Sequence, residues 1–330
     1  MILAGDIGGT KTELALFEDV KSRKIIKQNT FPSKDYNSLE EIIQKFLSTS
    51  SIIPIKACFG IAGPIENNTC RTTNLPWIIE GKKIETLFNI SSTYLINDLE
   101  ANAWGIPCLK EDELYTLNEG VKTQIGNRAL ISAGTGLGEA GLYFDGKNHI
   151  PFASEGGHCN FAPTNEEEVE IWRYLNQKYK HVSYERLLCG KGLLNIYRFF
   201  IDIKKEKELP ELVEKFSKMD PAHCIYEYGT TGKCLVCKKS IERFISIYGS
   251  ETGNVALKFL ALGGVYIGGG IAPKMLDTLK EGLFLESFTH KGRFEKLLST
   301  IRVQVILNPH TALLGAANYV EYRKNSPMKG

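Results

Sequence analysis

The sequence predicts an α/β protein built from two domains. At 330 residues the chain exceeds the usual size of a single hydrophobic core. Strand-like and helix-like apolar periodicities alternate along it, which is the pattern of α/β units. A strand, glycine-rich turn, strand signature occurs twice: residues 2–17 align without gaps on residues 129–144, with Gly9 falling on Gly136. This repeat points to a duplicated strand-hairpin core.

Composition narrows the class of partner. The hydrophobic share of 43% and charged share of 24% are those of an ordinary globular protein. A formal net charge of +2 provides no field for nucleic acid, so a small molecule is the expected partner. Eight cysteines stand singly apart from Cys234 and Cys237, and no basic segment leads into an apolar one near the start. This reads as reduced thiols and a cytoplasmic location. The longest apolar stretch, residues 255–272, is interrupted by Lys258 and five glycines, so no membrane span is expected.

The elements follow in order. Residues 2–6, 13–18 and 24–31 read as strands. A helix then buries Leu39, Ile42, Ile43, Phe46 and Leu47 on one face, with Ser38 and Glu41 forming a capping box. Strands follow at 55–61 and 93–97, and Asp98 is placed to cap a helix running toward Trp104. Pro107 breaks that helix, which sets the domain boundary: residues 1–107 form a small domain completed by the C-terminal helix 308–330, and 108–307 a large one. In the large domain strands are expected at 128–133 and 139–144, helices over 166–200 and 237–262, and a strand at 262–267. The segment 311–322 is helical and packs back on the first domain.

Three glycine-rich segments carry the candidate chemistry. Gly5, Asp6, Ile7, Gly8, Gly9 and Thr10 end a buried strand, where missing side chains let backbone N–H groups approach an anion such as phosphate. The segment is not a Walker A loop, because Gly-Lys-Ser/Thr is absent, nor a dinucleotide fingerprint, because a strand follows it. Asp6 at the strand tip is suited to ordering Mg²⁺ through water. Gly134, Thr135, Gly136 and Gly138 form a second such loop, so the pair can clamp a polyphosphate. Gly268, Gly269 and Gly270, ahead of Ile271, Ala272 and Pro273, leave a flat slot for adenine. Taken alone, each is also an ordinary tight turn.

The order of these loops becomes specific with Asn97-Asp98 after the fifth strand, Glu155-Gly156-Gly157-His158 downstream and Tyr184-Glu185-Arg186-Leu187. Asn74-Leu75-Pro76-Trp77 and Leu313-Leu314-Gly315 extend the match over nearly the whole chain. Together they resemble the bacterial glucokinase family of the sugar kinase, Hsp70 and actin superfamily. The resemblance implies a two-domain actin-like ATPase fold of the ribonuclease H-like kind, whose domains close over a sugar. It implies ATP and Mg²⁺ as cofactors, glucose phosphorylated at its 6-hydroxyl in an interdomain cleft, and a homodimer. Carried over by motif, Asn97, Asp98, Glu155, His158 and Glu185 are the sugar-binding set, with Asp98 the catalytic base. Fixed carboxylates and amides suit sugar hydroxyls.

The zinc motif found in the repressor-containing branch is missing, since Cys159 stands without its companions, and no structural zinc is expected. Cys234 and Cys237, with His223 and Cys224 upstream, lack a second pair. Whether Lys11 meets phosphate or only solvent stays open. A related hexose or amino-sugar kinase is the alternative reading, with a non-catalytic sugar-sensing member of the same fold behind it. A repressor would need a helix-turn-helix ahead of the first loop, and that loop's strand already begins at Ile2.

Overall fold

The computed structural model describes residues 1–20, 23–49, 52–72 and 74–325. The last five positions of the C-terminal segment 308–330 lie outside the described residues. Two compact units are formed: Met1–Leu114, Ile150–Ala153 and Asn308–Gly330 make the first, and Tyr115–His149 with Ser154–Leu307 the second.

The first unit is organised on a five-stranded sheet in the order Lys24–Pro32, Lys11–Asp19, Ile2–Ile7, Lys56–Ile61, Ser92–Asn97. The first three strands are antiparallel neighbours and the last three run parallel. Ile7, Ile61 and Asn97 are in register, so all three parallel strands end at one edge. Open α/β sheets bind ligands beyond such carboxyl ends. One face of the sheet is covered by the helix Leu39–Ser48, whose Leu39, Ile42, Ile43 and Phe46 are buried. Ser38 caps this helix by accepting from the Glu41 N–H. The Glu41 carboxylate reaches the Asn37 N–H at 2.9 Å, so only half of the expected capping box forms.

The other face of the sheet is covered by the helices Asp98–Gly105 and Thr311–Asn325, which bury Trp104, Leu313, Leu314 and Ala317 with Ile2, Ala4 and Phe17. These two helices meet backbone to backbone. A Cβ on Gly315 would stand 1.7 Å from the Ala101 carbonyl oxygen, and one on Gly105 2.1 Å from that of Thr311. Beneath them, a Cβ on Gly60 would lie 2.6 Å from the Ala101 methyl. Pro107 does end the helix, in a short 3₁₀ turn at Ile106–Cys108. The following residues nevertheless stay with the first unit as far as Leu114. Glu113 takes two hydrogen bonds from Arg23 at 2.7 Å and one from Asn308 at 2.7 Å, which hold its carboxyl down at about 2.

The second unit repeats the plan. Its six-stranded sheet runs His149–Ser154, Leu137–Phe144, Arg128–Ala133, Val265–Gly268, Val303–Ile306, Leu114–Asn118. Its first five strands follow the order of the first sheet, again with a hairpin leading into a parallel pair. The residue-by-residue equivalence differs from the ungapped alignment. The first hairpin closes at Ile7 and Thr12, leaving residues 8–11 as its loop, and the second closes at Ala133 and Leu137, leaving 134–136. The core gathers around one long helix, Leu235–Lys258, which spans most of the helical stretch expected at 237–262. No described helix is long and apolar enough to cross a membrane.

Gly315→Ala places a methyl group where the Ala101 carbonyl stands, and overpacking of this kind costs about 1–3 kcal/mol. Urea unfolding should show the midpoint fall accordingly. An unchanged midpoint would contradict the backbone contact.

Candidate active site

In the first unit the site is built at the edge where the parallel strands end. Asp6, one residue before the end of its strand, is partly buried, while its neighbours Gly5 and Ile7 point into the sheet. A Cβ on Gly5 would lie 2.5 Å from the Phe59 ring, so this glycine serves packing, and the Ile7 side chain is fully enclosed in the core. Of the expected six-residue loop motif, Gly5 and Ile7 therefore belong to the core, while Asp6 and the residues from Gly8 onward reach the surface. The loop itself is fastened by Ser33, whose hydroxyl donates to the Gly8 carbonyl at 2.7 Å and whose N–H donates to that of Thr10 at 3.0 Å. Gly9 is required by Asn74, because a Cβ there would approach the Asn74 Cβ to 2.7 Å.

Asn97, not Asp98, holds the cap position of the next helix: its Oδ1 accepts from the Leu99 N–H at 2.9 Å and the Glu100 N–H at 3.4 Å. The asparagine side chain satisfies the free backbone donors of the first turn. Asp98 is the first helical residue, and its Oδ1 shares the Leu99 N–H at 2.9 Å. A carboxylate there also gains from the helix dipole. Burial, with the Asp98 charge adding to it, pushes the Asp6 carboxyl up to about 6. Lys11 partly offsets this, while its Nζ lies 3.8 Å from Glu13.

In the second unit the loop Gly134–Gly136 borders a cavity of 560 Å³. Gly134 and Gly270 leave it open: a Cβ on Gly134 would find its nearest neighbour, the Gly270 nitrogen, at 4.0 Å, and one on Gly270 would meet nothing within 4 Å. The three glycines of 268–270 divide their tasks. Gly268 ends the strand inside the sheet, Gly269 takes φ +82° at a point where a Cβ would also press to 2.2 Å from the Ala133 carbonyl oxygen, and Gly270 lines the cavity. A run of turns follows them before the short helix Leu276–Leu279.

Sequence reasoning missed most of this cavity's wall. Lys191 and Lys274 bring positive charge, Asp220 and His223 polar groups, and Tyr226 and Met275 an apolar surface. Lys191 belongs to the first turn of the helix Gly190–Asp202, and the Gly190 N–H donates to the Gly134 carbonyl at 3.1 Å. The Lys191 side chain therefore brings its positive charge beside the glycine loop, on one wall of the cavity. The signal was present in Gly190-Lys191-Gly192, which interrupts an otherwise helical run. Cys234 and Cys237 are buried in this unit, with burial raising the Cys237 thiol; His223 faces the cavity. Among the described residues no group of three or more His, Cys, Asp or Glu side chains is arranged to hold a metal ion.

Glu155, His158 and Glu185 are brought together. His158 Nε2 lies 3.9 Å from Glu155 and its Nδ1 4.0 Å from Glu185. Glu155 is exposed, whereas Glu185 is fixed from behind, accepting the Leu137 N–H at 3.0 Å and packing on Gly136. One strand head thus connects the glycine loop to this acidic, imidazole-bearing cluster.

Comparison with known proteins agrees with this architecture. The profile of the family described as Glucokinase matches residues 3–323. The glucokinase of Nostoc punctiforme is 41% identical over 336 aligned positions, covering 96% of this chain and 98% of that one. The crystal structure of a glucokinase from an Antarctic psychrotroph superposes with a TM-score of 0.85 at 30% identity, covering 97% and 98% of the two chains. A ROK family glucokinase from Streptomyces griseus, solved with glucose and AMPPNP, shares the fold with a TM-score of 0.61 at 19% identity over 96% and 98%. The chain belongs to the glucokinase family, and its fold is that of the actin-like sugar kinases.

Asp6 supplies a pH test. Its carboxyl is raised from 3.8 to about 6, so the native state holds its proton longer than the unfolded chain does. Stability is therefore lost as pH rises through this window, and Asp6→Asn escapes the loss. The variant's stability advantage should grow by about 1–3 kcal/mol between pH 4 and pH 7 and then level off. Parallel urea titrations at the two pH values measure it, and an advantage independent of pH would contradict the burial of a charged Asp6.

Proposed function

We propose that this member of the glucokinase family transfers the γ-phosphoryl group of ATP to the 6-hydroxyl of glucose, with Asp98 accepting the hydroxyl proton. The observation that carries the reading is the placement of Asp98. It is the first helical residue beyond three parallel strand ends, held by the Leu99 N–H, on a helix whose backbone is locked by Gly60, Gly105 and Gly315. Phosphoryl transfer asks a protein to position reactants, stabilise charge and supply one proton acceptor. A rigidly mounted carboxylate serves that last need. Glucose and a nucleotide analogue bound to the Streptomyces griseus relative agree in substrate class.

The nucleotide occupies the 560 Å³ cavity. Tyr226, Ile271 and Met275 offer the apolar surface a base requires, and Thr135 and Lys191 the donors a phosphate chain requires, with Gly134 leaving room for it. Gly8, Gly9 and Thr10 serve the same chain from the first unit's loop. Asp6 orders Mg²⁺ through water, a role that suits a carboxylate whose own charge is disfavoured by its surroundings. A divalent cation there supplies neutralisation of phosphate charge. Asn97, Asp98, Glu155, His158 and Glu185 hold the sugar hydroxyls.

Asp98→Asn keeps the shape and the Leu99 contact and removes the proton acceptor. It should lower kcat by roughly 10²-fold or more, with melting temperature and glucose affinity little changed. A variant retaining most of its kcat would reduce Asp98 to a structural residue. Lys191→Ala tests the cavity separately: the KM for ATP should rise by about tenfold while that for glucose stays within twofold, in line with loss of one charge-assisted phosphate contact. An unchanged ATP KM would move the nucleotide elsewhere.

A further inference from the structure

The glycine pair of Glu155-Gly156-Gly157-His158 rests on the strand bearing Glu139, an acidic side chain that, with its neighbour Glu251, the reading above leaves unused. Glu139 lies on the strand Leu137–Phe144, two residues beyond Leu137 and on the same face. It is 1% exposed. A Cβ on Gly156 would meet its Oε2 at 2.0 Å, and one on Gly157 would meet the Leu137 carbonyl at the same distance. The Oε1 of Glu139 has no donor. Within hydrogen-bonding reach stands Glu251, itself fully buried, which accepts from Asn254 at 2.7 Å and from Lys258 at 3.0 Å.

Two carboxylates in contact and shielded from water cannot both be ionised without a large cost, and an orphaned acceptor facing a second carboxylate is satisfied when one proton lies between them. Lys258 provides charge for only one anion. The geometry points to Glu139 and Glu251 as a positioning pair, in which one shared proton fixes the seat of the Glu155–His158 turn and so the affinity for sugar. The inference rests on the sugar-site reading given above.

The groups facing the pair from the neighbouring elements are consistent with this. Tyr184, beside Glu185, has its hydroxyl within reach of Glu251 and receives the Asn254 amide at 3.0 Å. Its N–H donates to the Cys159 carbonyl, next to His158, at 3.1 Å. Lys291 and, beyond it, Glu168 add opposite charges at longer range, and Cys159 lies near Lys258. Burial and the Glu251 charge together push the Glu139 carboxyl up to about 8, with Lys258 opposing. The pair thus keeps its proton at neutral pH and gives it up under mild alkali. Two adjacent anions then repel beneath Gly156, which has no side chain to brace the turn.

The test is the pH dependence of glucose KM, ATP KM and kcat for the full-length enzyme and for E139Q, whose amide donates where the shared proton did. In the parent enzyme glucose KM should rise by about tenfold from pH 7 to pH 9, the behaviour of one essential proton lost near pH 8. ATP KM and kcat at saturating glucose should change by less than about twofold, and E139Q should lack the rise. Infrared spectra of the unaltered protein give a readout that needs no variant to fold: a neutral carboxylic acid band should be present at pH 7 and gone by pH 9.5. Superimposable profiles for the two proteins, a flat profile in the parent, or no neutral carboxyl at pH 7 would each overturn the pair. Calorimetric glucose binding to His158→Ala separates the two levels. Weakened binding there, alongside a failed pH test, removes only the positioning pair, whereas unaltered binding removes the sugar-site reading and the pair with it.

Discussion

Backbone groups in this protein approach one another where a side chain would ordinarily intervene, and the candidate site depends on that closeness. The helix bearing Asp98 is pressed from below by the strand at Gly60 and from the side by the C-terminal helix at Gly315 and Gly105. None of these contacts could form around a Cβ. The Asp98 side chain is thereby carried on an element with little freedom to tilt, as a group acting within hydrogen-bond distance of a substrate must be. The second unit uses the same device: Gly136 against Glu185, Gly156 and Gly157 against the strand Leu137–Phe144, and Gly269 against the Ala133 carbonyl. Glycines that look interchangeable in the sequence divide into those that admit packing and those, such as Gly134 and Gly270, that leave space.

This division explains which parts of the molecule were legible in the sequence. Periodicity located the helix from Leu39 because it buries one regular face, while the strand around Ile2 and the start of the C-terminal helix stood out as apolar runs that are buried nearly all round. The repeated hairpin was visible for the same reason, and the strand orders of the two sheets bear out a duplicated core. Its residue equivalence was not visible, since the loops 8–11 and 134–136 differ in length and an ungapped comparison has no means of recording that. Gly5 was grouped with the loop because glycine next to aspartate resembles a loop in one dimension. Its neighbour in space, Phe59, is more than fifty positions away along the chain.

The site divides similarly. Residues in short motifs, Asn97-Asp98 and Glu155 to His158, could be named from the family resemblance. The cavity wall could not, because Lys191, Asp220 with Tyr226, and Lys274 come from three separate segments without a shared motif. The capping role fell to Asn97, leaving Asp98 one residue into the helix, a distinction made by backbone angles that the dipeptide alone does not encode. The charge environment was also hidden. Asp6 is raised to about 6 by burial and by the Asp98 charge, neither of which can be read from a strand tip in one dimension.

Asp98 as the proton acceptor is the claim on which the functional account turns. Its most direct measurement is a crystal structure of this protein with glucose and a non-hydrolysable ATP analogue. The account predicts an Asp98 carboxylate oxygen within about 2.6–3.2 Å of the glucose 6-hydroxyl, with that hydroxyl facing the terminal phosphate. A 6-hydroxyl held by another acceptor, with Asp98 occupied only by the Leu99 N–H, would contradict it.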